Sequence, residues 1–313
     1  MIIFSNLSKD QQAWIKKQYP NFKAVLNFGI PSAKLLPPVG TTVLSIHSNA
    51  KITDALLAKL PNLKLVITRT TGVDHIDLAA CKRRGITVAN TAGQNAQSVA
   101  EFTFGLVLAA CRNIVVGNER VLSGEFSDNS LSGAELSGKT LGVVGTGAIG
   151  ASVIRIASGF GMNVVAYDFN KNEALQKSLK FEYIPLKQVM SRADIVTLHI
   201  PSTPLTRHIV NSALLSKMKR GAGIVNTSRG DVVDSKAITK ALQSKKLAWY
   251  AADVLEGEQA KLTTEQKKFA KHAGVLITPH MAHATTESVE RVLTQTISII
   301  QDFLKGKSIK TII

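Results

Sequence analysis

Hydrophobic and polar positions alternate along the N-terminal part of the chain in a pattern typical of short strands separated by helices. Short apolar runs predict strands, and longer segments with apolar residues at helical spacing predict helices. The predicted strands cover residues 2–4, 24–28, 42–46, 64–68 and 86–88, and the helices between them cover residues 9–18, 52–60 and 78–84. Such an alternation predicts a parallel sheet flanked by helices.

A second alternating region follows a long apolar segment. Residues 97–114 predict a helix that joins the two halves, and residues 118–138 are polar and predict a loop. The strands predicted beyond it cover residues 141–144, 164–167, 194–199, 222–226, 247–252 and 275–277, with helices at 212–217, 235–244 and 286–304. The last helix follows the last strand of this region, so we expect the chain to return and pack on the first half.

Three glycines follow the predicted strand 141–144 in the spacing G-x-G-x-x-G. Gly145 permits a tight turn, Gly147 allows the backbone to approach a pyrophosphate, and Gly150 lets the following helix pack on the strand. The N-terminus of that helix favours phosphate binding. Asp168 ends the next strand, where an acid can accept both hydroxyls of an adenosine ribose and repel a 2′-phosphate. The stretch predicts a dinucleotide site that takes NAD rather than NADP.

Composition indicates how many domains the chain can form and argues against metal, secreted and membrane classes of protein. A chain of 313 residues with 45% hydrophobic residues has room for two domains with separate cores. Its two cysteines match no metal or redox spacing, which predicts free thiols, no metal site and a reducing compartment. The N-terminal segment turns polar too early for a secretory signal, and no apolar run reaches membrane-spanning length. We therefore expect a cytoplasmic protein without a membrane partner.

The net charge of +16 raises the question of a nucleic-acid partner. The basic residues are scattered over both halves, and aromatic residues do not alternate with them as base stacking would require. We favour a basic surface that attracts small anionic substrates.

Polar residues follow four predicted strands of the second half, at the carboxyl ends where ligands bind in open parallel sheets. The positions considered are His199 with its neighbours Ile200 and Pro201 at the end of the first, Thr227, Ser228 and Arg229 after the second, Asp253 and Glu258 after the third, and His280 after the fourth. An arginine can pair with a carboxylate through two hydrogen bonds, and a histidine can donate a proton to a carbonyl oxygen. Taken alone, His199 fits a structural turn as well as a cofactor contact. Arg229 could form a surface salt bridge, but its position at a strand end favours binding of a carboxylate.

Taken together, the motifs resemble the D-isomer-specific 2-hydroxyacid dehydrogenases over nearly the whole chain. The matching segments, in order, are TTGVDHIDL (70–78), NTAGQNAQSVAE (90–101), GKTLGVVGTGAIG (138–150), LHIPSTPLTRHIV (198–210), NTSRGDVVD (226–234), AADVLEGE (251–258) and TPHMAHAT (278–285). The resemblance implies an α/β protein with a Rossmann-type, doubly wound parallel sheet domain and a second, flavodoxin-like substrate domain. It implies a discontinuous substrate domain of residues 1–96 and 285–313, and an NAD-binding domain of residues 97–284.

The resemblance also implies a catalytic set of Arg229, Glu258 and His280. His280 would give a proton to the keto oxygen, Glu258 would hold His280, and Arg229 would bind the substrate carboxylate. The implied cofactor contacts are Gly145, Gly147, Ala148, Ile149, Gly150, Asp168, Ile200, Pro201, Thr227, Ser228 and Asp253, and the implied carboxylate contacts are backbone amides near Thr71, Gly72 and Val73. A homodimer is expected by resemblance, with the helix 97–114 as its interface.

Three features depart from the family pattern. Gln259 follows Glu258 where a proline is usual, residues 260–272 are lysine-rich and lack prolines, and His283 replaces a small residue. The shape of the loop around residues 260–272 and the role of His283 stay open at this point.

The prediction of the substrate rests on Arg69, three positions before Gly72. D-lactate dehydrogenases of this family are similar there, and no second arginine stands beside it for a phosphate. We expect a small unphosphorylated 2-keto acid such as pyruvate, glyoxylate or hydroxypyruvate. One alternative is a short D-3-phosphoglycerate dehydrogenase, because TTGVDHID and NTAGQN resemble that branch. Another is a non-catalytic, NAD-responsive corepressor-like binding module, against which the complete Arg–Glu–His set argues.

Overall fold

The computed structural model of the protein describes residues 1–129, 131–259 and 261–313. These residues form two compact units, Met1–Asn95 with Thr286–Ile313, and Ala96–Thr285. Ser130, inside the predicted loop 118–138, and Ala260, the first residue of the lysine-rich stretch, lie outside the described residues.

Strands and helices alternate along both units, as the sequence pattern predicts. The strands are β1 (Ile2–Ser5), β2 (Val25–Phe28), β3 (Val43–Ile46), β4 (Leu65–Thr68), β5 (Thr87–Asn90), β6 (Thr140–Val144), β7 (Asn163–Tyr167), β8 (Glu182–Tyr183), β9 (Ile195–Leu198), β10 (Ala222–Asn226), β11 (Leu247–Ala252) and β12 (Val275–Ile277). The helices are α1 (Lys9–Gln18), α2 (Asp54–Leu57), α3 (Leu78–Arg83), α4 (Ala96–Cys111), α5 (Ile114–Leu122), α6 (Ala148–Gly159), α7 (Glu173–Leu179), α8 (Leu186–Arg192), α9 (Ser212–Leu215), α10 (Ser235–Gln243), α11 (Thr264–Ala270) and α12 (Thr286–Leu304).

The first unit is built on a parallel sheet of five strands in the order β2-β1-β3-β4-β5. This is the flavodoxin-like order, so that prediction is confirmed. One face of the sheet packs on α12, whose buried Leu293, Ile297 and Ile300 join a core that contains Phe4 and Ile67. The C-terminal helix is therefore part of the first unit, because its apolar stripe covers that side of the sheet.

The second unit is built on a parallel sheet of seven strands in the order β12-β11-β10-β9-β6-β7-β8. Starting from β6, the chain builds one side of the sheet and then crosses to the other, which is the doubly wound order that the sequence predicts. Pairing in register brings the ends of neighbouring strands together at one edge. The strand ends that meet there are Val144, Leu198, Asn226, Ala252 and Ile277. The polar positions singled out above thus follow adjacent strands.

The predicted helix 97–114 and the predicted loop 118–138 are wrong in their limits. Helix α4 ends at Cys111, and a second helix, α5, begins at Ile114. The break lies at Asn113, whose backbone is left-handed (φ 54°) and whose side-chain amide donates to the carbonyl of Ser132 at 3.2 Å. Asparagine tolerates this conformation better than most residues. Residues 118–122, predicted as loop, belong to α5.

The lysine-rich stretch is not only a loop, because residues 264–270 form helix α11. Its first turn has a capping box. The Thr263 side chain accepts from the Gln266 N–H at 3.2 Å, and the Gln266 side chain accepts from the Thr263 N–H at 2.8 Å. Helices α7 and α8 and strand β8 were also missed. They lie in polar sequence, where apolar periodicity is weak.

Both cysteines are buried free thiols. Burial raises the pKa of the Cys81 thiol to about 11 and also raises the pKa of Cys111. Among the described residues, no single helix has the length and apolarity of a membrane span. Helices α4 and α5 pass that test only as a pair bent by 62°.

Candidate active site

The turn between β6 and α6 has the shape that its glycines predict. Gly145 has a left-handed backbone (φ 95°), and a Cβ there would lie 2.6 Å from the carbonyl oxygen of His199. A Cβ on Gly150 would lie 2.0 Å from the carbonyl oxygen of Gly145. Gly147 is different, because no heavy atom outside its chain neighbours lies within 4 Å of the position of its Cβ. The fold itself requires the outer glycines, whereas the middle glycine keeps a surface clear.

The start of α6 offers donors for an anion. Gly147 is the N-cap, with extended backbone and no side chain to cap the first N–H groups. Ala148 is exposed and Ile149 is half-buried beside it. An uncapped helix N-terminus in front of an open glycine surface fits the pyrophosphate of a dinucleotide.

Asp168 lies directly after β7, next to this turn. Its Oδ2 accepts from the Thr146 N–H at 2.6 Å, and its Oδ1 accepts from the Asn170 N–H at 2.9 Å. The Thr146 hydroxyl, 3.1 Å from Oδ2, also shares a 2.7 Å hydrogen bond with the Tyr183 hydroxyl. The carboxylate is therefore fixed beside the glycine turn. The contribution of Tyr183 was not predicted, because β8 was missed.

The remaining predicted cofactor positions lie at the same edge of the sheet. Ile200 is buried, Pro201 is exposed, and Ser228 donates through both its N–H and its hydroxyl to the side-chain oxygen of Asn226. Thr227 is buried, and its hydroxyl bonds to that of Thr103 on α4 at 2.9 Å. These residues lie at the carboxyl edge of the sheet, and their contacts with a cofactor remain predictions.

His199 is part of the buried support under the glycine turn. Burial lowers the pKa of its imidazole to about 3, so the ring is neutral at physiological pH. Its Nε2 lies 2.7 Å from the Thr197 hydroxyl, and its buried Nδ1 has no hydrogen-bond partner among the described residues. Of the two interpretations left open by the sequence, the packing of its carbonyl against Gly145 supports the structural one.

The three predicted catalytic residues are brought together. The Nδ1–H of His280 donates to Oε1 of Glu258 at 2.5 Å. A carboxylate can only accept, so Nδ1 carries the hydrogen and Nε2 is the nitrogen that exchanges a proton. Arg229 lies near enough for its charge to act on both partners. Both side chains of the pair are partly exposed, 41% for His280 and 44% for Glu258.

The electrostatics of the pair follow from this geometry. The hydrogen bond to Glu258 raises the pKa of His280 and outweighs the opposing effect of partial burial. Burial alone would raise the pKa of Glu258, but the hydrogen bond and charge of His280 prevail and lower it. Near neutral pH the pair therefore holds an ionised carboxylate and an imidazole that can keep or release its proton.

Asp253 determines the position of His280. Its carboxylate is 1% exposed and accepts from the Thr278 hydroxyl at 2.5 Å, from Met281 N–H at 2.9 Å and from Ala282 N–H at 2.7 Å. These bonds close the turn in which His280 has a left-handed backbone (φ 54°), a conformation that non-glycine residues rarely adopt. Asp253 thus supports the turn, and its predicted contact with a cofactor stays a prediction.

His283 lies in the same turn, with its ring centroid 6.0 Å from that of His280 and edge-to-face geometry. Burial lowers the pKa of His283, and the nearby charge of His280 lowers it further. Of the two imidazoles, His283 therefore loses its proton more readily than His280.

Arg69 does not have the placement that we expected of a substrate contact. It is 6% exposed, and its guanidinium donates to the Ser45 hydroxyl at 2.8 Å and to the Ser5 carbonyl at 2.6 Å. Burial lowers the pKa of its guanidinium to about 10. These hydrogen bonds link the ends of β1, β3 and β4, so the structure gives Arg69 a structural role within the first unit.

The segment Thr71–Gly72–Val73 lies in the first unit at the end of β4. The Asn90 side chain donates to the Thr71 carbonyl at 2.7 Å, and the Thr70 hydroxyl donates to the Gly72 carbonyl at 2.7 Å. In the part of the chain that the structure describes, no hydrogen bond is donated by the three N–H groups of this segment. Donors of this kind suit a carboxylate, as predicted, although a contact with substrate remains a prediction.

Comparisons with known proteins show which family this chain belongs to. The family model described as D-isomer specific 2-hydroxyacid dehydrogenase, NAD binding domain, matches residues 104–282. The chain is 38% identical over 260 residues to hydroxypyruvate reductase of Thermotoga maritima, covering 83% of each protein. It is 36% identical over 287 residues to D-3-phosphoglycerate dehydrogenase of Methanocaldococcus jannaschii, covering 91% of this chain but only 54% of that longer protein.

The solved structures agree with the sequence relatives. D-lactate dehydrogenase from Aquifex aeolicus, complexed with NAD and lactic acid, superposes with a TM-score of 0.86 at 33% identity, covering 98% of this chain and 96% of that one. The likeness extends over both units, and the matched family model includes the glycine turn and the Arg229–Glu258–His280 cluster. The chain therefore belongs to the D-isomer-specific 2-hydroxyacid dehydrogenase family of oxidoreductases.

Proposed function

We propose that the protein reduces a small, unphosphorylated 2-keto acid to the D-2-hydroxy acid, and catalyses the reverse reaction, with NAD as its cofactor. The observation that supports this most directly is the His280–Glu258 hydrogen bond at 2.5 Å, made through Nδ1. It leaves Nε2 of a histidine with a raised pKa as the proton-exchanging atom. The hydride for the reduction would come from the reduced nicotinamide of the bound cofactor.

Each member of the cluster has a role that its chemistry permits. In reduction, protonated His280 donates from Nε2 to the keto oxygen, and Glu258 stabilises the charged imidazole that must form. Arg229, whose Nη1 also donates to the Ser228 carbonyl at 2.8 Å, binds the substrate carboxylate and polarises the carbonyl. In oxidation, neutral His280 accepts the proton of the hydroxyl group.

The cofactor preference rests on Asp168. Its carboxylate is fixed by Thr146 and Asn170 beside the open face of Gly147. A negative charge there favours the two ribose hydroxyls of NAD and repels the 2′-phosphate of NADP. We therefore propose NAD, and NADH oxidation should exceed NADPH oxidation at equal concentrations.

The phosphoglycerate dehydrogenase alternative has a relative at 36% identity, but that protein is about twice as long as the matched part. The corepressor-like alternative is less well supported, because all three residues proposed for catalysis are present and lie together. We retain the unphosphorylated acid as substrate, although Arg69, which suggested it, is buried in the first unit.

The experiment is NADH oxidation with pyruvate, glyoxylate, hydroxypyruvate and 3-phosphohydroxypyruvate, with His280→Ala in parallel. We expect turnover of at least one unphosphorylated acid and a fall of kcat in the variant by about two orders of magnitude or more. Turnover of 3-phosphohydroxypyruvate well above the others would contradict the proposed substrate. Tight NADH binding without any turnover would favour the binding-module alternative.

We also propose a homodimer and a cytoplasmic location. None of the residues of α5 is buried, and Ile114, Val116, Val121 and Leu122 are between 45% and 79% exposed. An apolar surface of this kind suits contact with a second copy of the chain, next to the predicted interface helix α4. Free, buried cysteines are consistent with a reducing compartment.

A further inference from the structure

The loop between β11 and α11 contains a second carboxylate–imidazole pair, two residues before Glu258. Oε1 of Glu256 accepts from Nε2–H of His208 at 2.5 Å, and Oε2 accepts from the Ser235 hydroxyl at 3.1 Å. The side chains of His208 and Glu256 are 36% and 30% exposed. This partial shielding makes the pair stronger than one at an open surface.

The backbone of the loop is held at the same place from two further sides. The Gln266 side-chain amide donates to the carbonyl oxygens of Glu256 at 2.9 Å and Gly257 at 3.1 Å. The Gly257 N–H donates to Oδ1 of Asp231 at 3.2 Å, and Gly257 has a left-handed backbone (φ 61°). Residues 256 and 257 are thus fixed by the segment before α9, by the start of α10 and by the first turn of α11.

The loop also packs directly on the segment that carries Arg229. A Cβ on Gly230 would lie 2.0 Å from the carbonyl carbon of Leu255 and 2.3 Å from the N of Glu256. The His208 N–H donates to the Asp231 carbonyl at 2.8 Å, so His208 is tied to the same segment. A displacement of the loop would therefore move Glu258 relative to both Arg229 and His280.

We infer that Glu256 and His208 are positioning residues for the reaction, and that their hydrogen-bonded pair holds the loop so that Glu258 stays within reach of His280. The inference rests on the proposed function, because it assumes that His280 is the proton donor. The hydrogen bonds described for Glu256 and His208 do not reach His280, whose Nδ1 bonds to Glu258, so we expect both residues to act through Glu258.

The pH dependence of the reaction reports the position of Glu258. The groups that act on His280 are Glu258 and Asp253, which raise its pKa, and Arg229, which lowers it, while His283 faces it from the same turn. If Glu258 moves away, the pKa of His280 falls towards its ordinary value. Reduction requires the protonated imidazole, so kcat/KM is then lost at a lower pH than in the unaltered protein.

The test compares pH profiles of kcat/KM for keto-acid reduction in the unaltered protein, Glu256→Gln, His208→Asn and Glu258→Gln. The midpoint of each profile is the pH at which kcat/KM has fallen to half of its low-pH value. We expect Glu256→Gln and His208→Asn to lower this midpoint, as Glu258→Gln does, but by no more than Glu258→Gln. A midpoint one unit lower would reduce kcat/KM about tenfold at pH values above both midpoints. Glu182→Gln is the matched control. Glu182 lies on β8 and forms an exposed ion pair with Arg192 on α8 at 2.8 Å, and its substitution should leave the pH profile unchanged.

A double variant separates positioning from general damage. If Glu256 acts through Glu258, adding Glu256→Gln to Glu258→Gln should cause no further shift of the midpoint. Ser235→Ala removes only the 3.1 Å hydrogen bond to Glu256, and it should give a smaller shift in the same direction even if the other variants fold poorly.

The outcomes distinguish the inference from the proposed function. An unchanged midpoint in Glu256→Gln, His208→Asn and Ser235→Ala, together with a shift in Glu258→Gln, would overturn the inference alone. Additive shifts in the double variant would also overturn it, because the two residues would then act independently. Absence of turnover in the unaltered protein, or of a shift in Glu258→Gln, would contradict the proposed function instead.

Discussion

At the scale of single residues, the sequence predicts the cluster proposed for catalysis better than it predicts the residues around it. The family resemblance implies Arg229, Glu258 and His280 as a set, and each follows a strand of one sheet, so the fold brings the three side chains together. The support of His280 by Asp253 could not be predicted, because it depends on the backbone direction of residues 278–282. The burial of Arg69 could not be predicted for a similar reason, because its hydrogen-bond partners Ser5 and Ser45 are distant in sequence.

Arg69→Met tests the structural role of this arginine. The change leaves the Ser45 hydroxyl and the Ser5 carbonyl without their donor in a buried site, which should lower the free energy of unfolding by about 1–3 kcal/mol. We expect kcat/KM of the folded protein to change little. Urea unfolding and steady-state kinetics measure the two effects, and Arg220→Met, at an exposed position, serves as the control. A large loss of kcat/KM with unchanged stability would restore Arg69 as a substrate contact.

At the scale of elements, strands were predicted well and short polar helices were not. Apolar runs mark β10, β11 and the half-buried β12, and these three strands have the predicted limits. Helix α11 carries few apolar residues, yet its capping box, Thr263 to Gln266, was present in the sequence and could have revealed it. The break between α4 and α5 could not be predicted from apolar spacing, because apolar residues stand on both sides of Arg112 and Asn113.

The glycine turn gives a prediction that separates folding from cofactor binding. Gly147→Ala places its Cβ in open space, so stability should change little, while NADH binding weakens because the methyl group occupies the surface proposed for the pyrophosphate. Gly150→Ala places its Cβ 2.0 Å from the Gly145 carbonyl oxygen and should lower the thermal unfolding temperature of the protein. Differential scanning calorimetry and NADH fluorescence titration measure the two effects. Unchanged NADH affinity in Gly147→Ala would place the pyrophosphate elsewhere.

At the scale of the whole molecule, the sequence predicts two α/β units and the strand orders of both sheets belong to the expected classes. The first unit includes the C-terminal helix because α12 completes its core. The exposed apolar side of α5 is not evident from the sequence, because the residues from Gly117 to Arg120 interrupt its apolar positions. Its exposed apolar residues are the basis of the proposed homodimer.

Val121→Glu tests the proposed homodimer. Val121 is 51% exposed on α5, and a charge there should be costly once a second copy covers the helix. We expect sedimentation velocity to show a dimer for the unaltered protein and a shift to monomer for the variant. Leu205→Glu is the control, because Leu205 is 81% exposed but lies outside α5. A monomer before any substitution would show that the apolar surface of α5 has another occupant.

The burial of both cysteines has a practical consequence. A thiol reacts as its thiolate, and a pKa of about 11 leaves Cys81 almost entirely protonated at neutral pH, while Cys111 is also buried. Maleimide reagents should therefore leave the native chain unmodified. A single cysteine introduced at an exposed position outside α5, such as Leu205→Cys, would then accept one spin label or fluorophore at a known site without prior removal of the native thiols.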